Sequence, residues 1–199
     1  MQFYKQTTRY SNAAASLMLI LNHYNKDFEI NKENEYKIWH NSVVLPTRGS
    51  SLFSLAMITN EHKINTKLIV GSPEFKFPNY KYKMYSQKEV YQAKFSNELY
   101  YKKALDKGID IEERDFEFDE VKEQLKDGKF LLLRLDIGPL LNIRATCNYL
   151  FVYAYGNGKF LINDTKSGKP LQIQEELMKI MFNNVKGKCK RDNRMLILG

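Results

Sequence analysis

Asn12 stands at a helix start, a place suited to chemistry, and Gln6, Asn148 and Asp164 are the polar side chains to be weighed with it. The stretch QTTRYSNAAASLMLILNHY, residues 6 to 24, is a polar lead-in followed by an apolar helix that starts at Ser11-Asn12. Backbone N–H groups in a first helical turn point outward unpaired, and their partial positive charge suits an anion such as a thiolate nucleophile. Asn12 has neither nucleophilic nor acid–base chemistry near neutral pH. It either caps the helix, contributing on the order of 1 kcal/mol, or hydrogen-bonds a ligand. Asn148, at a strand start on an otherwise apolar face, needs a partner if buried. Asp164 is a candidate, because an amide N–H to a carboxylate is a charge-assisted bond. Asp164 is equally suited to a turn in DTKSG, and Gln6 to bracing the backbone ahead of the helix.

Other reactive groups are poorly placed to take over. Cys147 adjoins Asn148, but consecutive strand residues face opposite ways, so Cys147 sides with Tyr149, Phe151 and Tyr153. His23 lies eleven residues along the helix from Asn12, about 16 Å at the usual rise. Ser11 and Ser16 have no evident base, and His40 and His62 belong to the helical half.

The elements that must position these groups follow from periodicity. In the first helix Leu17, Ile20, Leu21 and Tyr24 form one inward stripe. Further helices are expected at 35–41 and 51–62, with a turn at 44–50 punctuated by Pro46 and Gly49. A strand is expected at 66–70 and a Pro- and Tyr-rich surface loop at 72–85. Ser86 opens and Gly108 closes a long helix whose Tyr91, Phe95, Tyr100 and Tyr101 read as a packing stripe. A brief strand and a helix at 118–128 follow, then strands at 129–137, 148–155, 159–164 and 194–199, with a helix at 174–182. GNGK marks a hairpin. A three-residue loop there would set residue 150 opposite 164, leaving Asp164 on the face of Asn148; a two-residue loop would pair 154 with 161 and turn Asp164 to the tyrosine face. Helices first and antiparallel strands later indicate an α+β domain.

Composition narrows the class. With 199 residues and 43% hydrophobic side chains, the chain supports one core and reads as a single domain over 1–199. No apolar run reaches membrane-spanning length, and MQFYKQTTRY lacks a signal core, so a cytoplasmic protein with no membrane partner is expected. Two cysteines and three scattered histidines suggest neither a disulfide framework nor a metal, and no cofactor is implied. The net charge of +8 is diffuse except at KGKCKRDNR, 186 to 194. That run reads as a solvated segment, and without a nucleic-acid motif no nucleic-acid partner is expected.

QTTRYSNAAASL resembles the motif Q-T-T-x-Y-S-C-G/A-P/A-A-S-L of peptidase C39-like proteins, papain-like cysteine peptidase relatives. The likeness continues through YKIWHNSVVLPTRGSSLFSLAMITNEH and resumes at NYLFVYAYGNGKFLINDTKSG, similar to the family's H-W-V-V-V-x-G-Y...D-P segment. It covers most of 3 to 70 and 119 to 182, leaving a divergent Tyr/Lys-rich segment at about 72–115. The resemblance implies a papain-like fold, with N-terminal helices packed on an antiparallel sheet from the C-terminal half. It also implies a site in which a Cys attacks a carbonyl, a His takes the thiol proton, an Asp orients the His and a Gln stabilises the oxyanion. Gln6 matches that Gln and Asp164 that Asp, whereas Asn12 falls on the Cys and Asn148 on the His. Ala13 follows Asn12, and Thr165 stands where a Pro usually follows the Asp.

The expectation is therefore a catalytically inactive relative that binds a peptide or peptide-like ligand in the former active-site cleft. Two alternatives stand beside it. One is an active hydrolase or acyl-transfer enzyme with a displaced nucleophile such as Ser11 or Cys147. The other is a partner-binding protein acting through residues 72 to 107 and the basic run.

Overall fold

A computed structural model describes residues 2–76 and 85–199. The chain opens with helices α1 (Asn12–Tyr24) and α2 (Lys32–Ser42), a two-residue pair β1 (Val43–Val44) and β2 (Gly49–Ser50), helix α3 (Leu52–Glu61) and strand β3 (Thr66–Val70). Helix α4 (Gln87–Asp106), β4 (Asp110–Glu113), α5 (Phe118–Lys126), β5 (Phe130–Asp136) and the single turn α6 (Gly138–Leu141) follow. The remainder is β6 (Cys147–Gly156), β7 (Lys159–Asp164), β8 (Lys169–Gln174), α7 (Glu175–Gly187) and β9 (Arg194–Leu198). Seven strands form one sheet in the order β4-β3-β9-β5-β6-β7-β8. Every pairing in it is antiparallel except that of β3 with β4. This is the expected α+β, papain-like arrangement.

The core has two parts, one on each face of the sheet. Helices α1 and α3 cover one face over Leu132, Phe151 and Leu196. Helices α5 and α7 cover the other over Leu133, Val152 and Ile162. Alternate residues of β5 and β6 therefore feed opposite cores, as the two-residue period of a strand requires. Helix α1 departs from the single stripe expected: Ala13 through Asn22 are all buried, so it is a central helix enclosed on every side, with His23 and Tyr24 exposed at its end.

Several boundaries and contacts correct the sequence reading. Helix α2 starts earlier than residue 35, where Asn31 accepts from the Asn34 N–H as a side-chain cap. Helix α4 opens on a full capping box between Ser86 and Glu89. Its aromatics divide: Tyr100 and Tyr101 pack on the core, whereas Tyr91 and Phe95 are 72% and 57% exposed. The surface loop expected at 72–85 lies largely outside the described residues. Strand β8 and turn α6 were not anticipated. The basic run at 186 to 194 is solvated only in part: Lys186, Lys188 and Lys190 are exposed, whereas Cys189, Asp192, Asn193 and Arg194 are buried. Among the described residues, no helix is long and apolar enough to cross a membrane.

The hairpin between β6 and β7 combines features of both registers considered. Its loop is the two-residue Asn157-Gly158, with φ of 50° and 69°, and Ala154 pairs with Leu161. A bulge between Val152 and Ala154 then shifts the pairing by one residue, so that Val152 faces Ile162. Beyond the bulge Asp164 shares the face of Leu150 and Asn148, as the longer loop would have placed it.

Candidate functional site

A buried carboxylate fastens the N-terminal segment to α2. Glu35 of α2, fully buried, accepts from the Tyr4 hydroxyl at 2.8 Å, the Thr7 N–H at 3.0 Å, the Thr7 hydroxyl at 2.8 Å and the Ser11 hydroxyl. Among the described residues no ion pair reaches it, and four neutral donors supply what water would otherwise give a buried charge. Burial, and then the bond to Glu35, push the Tyr4 phenol well above its ordinary ionisation range. Ser11 spends its hydroxyl hydrogen in this cluster and does not cap the helix, although it occupies the cap position. It is therefore no free nucleophile.

Asn12 is not a cap either. It is the first residue of α1, and its carboxamide donates to the Tyr149 carbonyl of β6 at 2.7 Å. That bond ties the helix start to the strand beside Asn148. The Asn148 carboxamide is half-buried and makes no hydrogen bond with any described residue. The anticipated Asn148–Asp164 pair does not form. Asp164 turns its carboxylate to the N–H groups of Lys166 and Ser167, at 3.1 and 3.3 Å, and its carbonyl accepts from Gly168. Such a local turn satisfies an Asp more readily than a partner across the sheet. Gln6 is similarly engaged: its amide donates to the Thr8 carbonyl at 2.6 Å and accepts from the Thr165 hydroxyl at 2.7 Å. Its own N–H meets the Thr165 carbonyl at 2.8 Å, so Gln6 fastens the N-terminal segment to the end of β7.

All four residues nevertheless line one cavity of about 410 Å³. The rest of its wall is largely aliphatic, with Ile137, Leu140, Ile143, Leu150, Ile162 and Leu171. A second cavity, about 340 Å³, lies alongside. Arg9, Asn12 and Asn148 line both, so they form the ridge between the two. The second cavity is of a different character: Arg9, Arg134, Arg191 and Arg194 line it, together with Cys147 and Tyr149. Sequence reasoning missed these arginines. The available signal was Arg134, a charge within the apolar run KFLLLRLDI, which must find partners when buried.

Those partners are the carboxylate and backbone carbonyl of Asp192 and one phenol. Asp192 accepts from Arg134 at 2.9 Å and from Arg194 at 2.6 Å, using both of its oxygens. Arg134 also donates to the Tyr149 hydroxyl at 2.7 Å. Burial alone would raise the Asp192 carboxyl, but the two guanidiniums outweigh it and hold it below the usual range. Cys147 follows the same logic. The neighbouring Cys189 thiol and the charges of Arg134 and Arg191 outweigh its burial and hold the Cys147 thiol below its ordinary range, while Cys189 is pushed up. No histidine lines either cavity: His23, His40 and His62 pack against aromatic rings in the helical half.

Carboxamides on the ridge, aliphatic groups on one side and guanidiniums on the other can hydrogen-bond, cover apolar surface and attract negative charge. No acid–base pair with a free nucleophile is assembled among the described residues. A search of curated proteins gives no match. The profile of a family described as Peptidase_C39 like family matches residues 1–185, which includes the 72–115 segment left out of the sequence resemblance. The match takes in every strand except β9. On that evidence the chain belongs to the Peptidase_C39 like family.

Proposed function

We propose that this protein is a non-catalytic member of its family that holds a peptide or peptide-like ligand in the cleft between the start of α1 and β6. One observation carries the reading: Asn12 and Asn148 stand together on the ridge of a two-part cleft, at positions the sequence resemblance assigns to Cys and His. Neither carboxamide can attack a carbonyl or shuttle a proton, yet each offers a donor and an acceptor to a peptide group. The Asn148 amide, without a partner among the described residues, is open to such a bond. The oxyanion role is unavailable to Gln6 while Thr8 and Thr165 hold its side chain.

The double replacement Asn12→Cys with Asn148→His tests this. The expected result is alkylation of the new thiol by iodoacetamide at least tenfold faster than any cysteine of the parent protein, because an imidazole beside a thiol at a helix start lowers its pKa. An inert double mutant, or peptide hydrolysis by the parent protein, would overturn the proposal.

Cys147 supports a second reading, a displaced nucleophile, because it borders the arginine-lined cavity and its thiol is held below the ordinary range by Cys189 and the nearby arginines. Covalent labelling of the parent protein at Cys147, with an activity lost in Cys147→Ala, would favour that reading. No base stands beside it among the described residues.

A further inference from the structure

The two cysteines, distant in sequence, meet at the start of β6. Cys147 is the first residue of that strand and pairs across with Asp136, the last of β5. Asp136 accepts from the Asn184 amide at 3.0 Å, and the Asn184 carbonyl accepts from the Cys189 N–H at 2.8 Å. Those bonds fold the segment after α7 back over the start of β6, where the two thiols are hydrogen-bonding neighbours. Their settings differ. Cys189 is fully buried, whereas Cys147 is half-buried and lines the arginine-lined cavity of about 340 Å³. The Cys189 thiol, and then the charges of Arg134 and Arg191, favour the Cys147 thiolate and prevail over its burial and the charge of Asp136. Neither cysteine stands where the resemblance puts the family's nucleophile, which is position 12.

We propose that Cys147 and Cys189 are a reversible redox pair: a hydroperoxide entering the arginine-lined cavity oxidises Cys147, and Cys189 then closes a disulfide with it. Thiols that do this chemistry combine thiolate character, access and a resolving cysteine alongside. In the first step the Cys147 thiolate attacks one peroxide oxygen. A sulfur–oxygen bond forms, the oxygen–oxygen bond breaks, and the departing alkoxide or hydroxide takes up a proton from solvent. Cys147 is then a sulfenic acid. In the second step the Cys189 sulfur attacks the Cys147 sulfur. The sulfur–sulfur bond forms, the sulfur–oxygen bond breaks, and the hydroxyl leaves as water with the Cys189 proton. Each sulfur gives up one electron, and each peroxide oxygen gains one. A dithiol from solvent reverses the bond by exchange. The burial of Cys189 fixes the order, because peroxide in the cavity meets Cys147 first. The closed bond ties the first residue of β6, next to Asn148, to the segment after α7.

Full-length protein, reduced and then freed of reductant, is treated with hydrogen peroxide near stoichiometry and without denaturant. Intact mass spectrometry is expected to show the loss of two hydrogens per chain. Peptide mapping without reduction is expected to show a Cys147–Cys189 cross-link, and dithiothreitol to reverse it. In Cys189→Ser the reaction should stop at the sulfenic acid, so that dimedone labels Cys147. In Cys147→Ser, dimedone labelling of Cys189 should be about tenfold weaker, because the thiol is shielded and less ionised. The parent's cross-link map needs no variant, so a substitution that disturbs folding leaves the test intact. The proposal is overturned if Cys147 and Cys189 of the parent stay unlinked under excess peroxide. It is equally overturned if Cys147 proceeds to the sulfinic acid instead, if bridges form only between molecules, or if dimedone labels Cys189 and not Cys147.

Discussion

Replacing Asp192 with alanine is expected to destabilise the protein by about 3–5 kcal/mol, because it strands two buried guanidiniums. Arg134 and Arg194 share this one carboxylate, and Arg194 is only 3% exposed. Arg194 keeps the carbonyls of Ser72 and Glu74, and Arg134 keeps the Tyr149 hydroxyl and the backbone carbonyl of residue 192, but among the described residues neither keeps a carboxylate. In thermal unfolding the loss corresponds to a drop on the order of 10 °C for a domain of this size. Asp192→Asn retains the shape and loses the charge, so it separates electrostatics from packing and should recover little. The pH dependence has a defined sign. The folded carboxyl titrates below its unfolded value, near 3.9, so its stabilisation is complete above that value and disappears as pH falls through the lower, folded one. The gap between parent and Asp192→Asn should therefore be constant from about pH 5 upward and narrow below about pH 4. A constant gap down to pH 2 would show that the carboxylate is not what holds the two arginines.

The second large effect is expected at Glu35. Glu35→Ala removes the acceptor shared by Tyr4, Thr7 and Ser11 and leaves their donors facing a void. Each orphaned donor costs roughly 1–3 kcal/mol; water reaching the segment offsets part of this, so about 3–4 kcal/mol is expected overall. Glu35→Gln keeps the volume but aims an N–H group at other donors, and should recover little. A spectroscopic signature accompanies the loss of stability. The Tyr4 phenol, held up by burial and by Glu35, should ionise at lower pH in Glu35→Ala, visible as earlier phenolate absorbance. The segment from Tyr4 to Ser11 carries Gln6 and leads into Asn12, so its release should also weaken ligand capture. A variant as stable as the parent would mean that Gln6 and its bonds to Thr165 suffice to seat the segment.

Much of this architecture was legible because local and global signals agreed. The Asn157-Gly158 turn demands left-handed backbone at both residues, and that pair meets the demand cheaply. Ser86 and Glu89 announce their helix for an equally local reason. The bulge after Val152 was not legible, because β6 is apolar on both faces there and alternation has nothing to register against. Strand β8, KPLQIQ, is a short edge strand with Pro170, whose signal is weak. At the cleft, residue types indicated where Gln6, Asn12, Asn148 and Asp164 would gather, but not how their hydrogen bonds would be spent. The arginine cavity escaped notice because its members come from three distant stretches. A basic run looks the same in sequence whether it is solvated or folded against Asp192.

The position of β9 has a consequence for assembly. It alone bridges β3 and β5, so the sheet is two separate pieces until residues 194 to 198 insert between them. On the ribosome, β3 and β5 both emerge first, each with a naked row of amide and carbonyl groups on its inner border. A molecule clipped ahead of Arg194 would keep those two seams open, each able to recruit a strand from a neighbouring molecule.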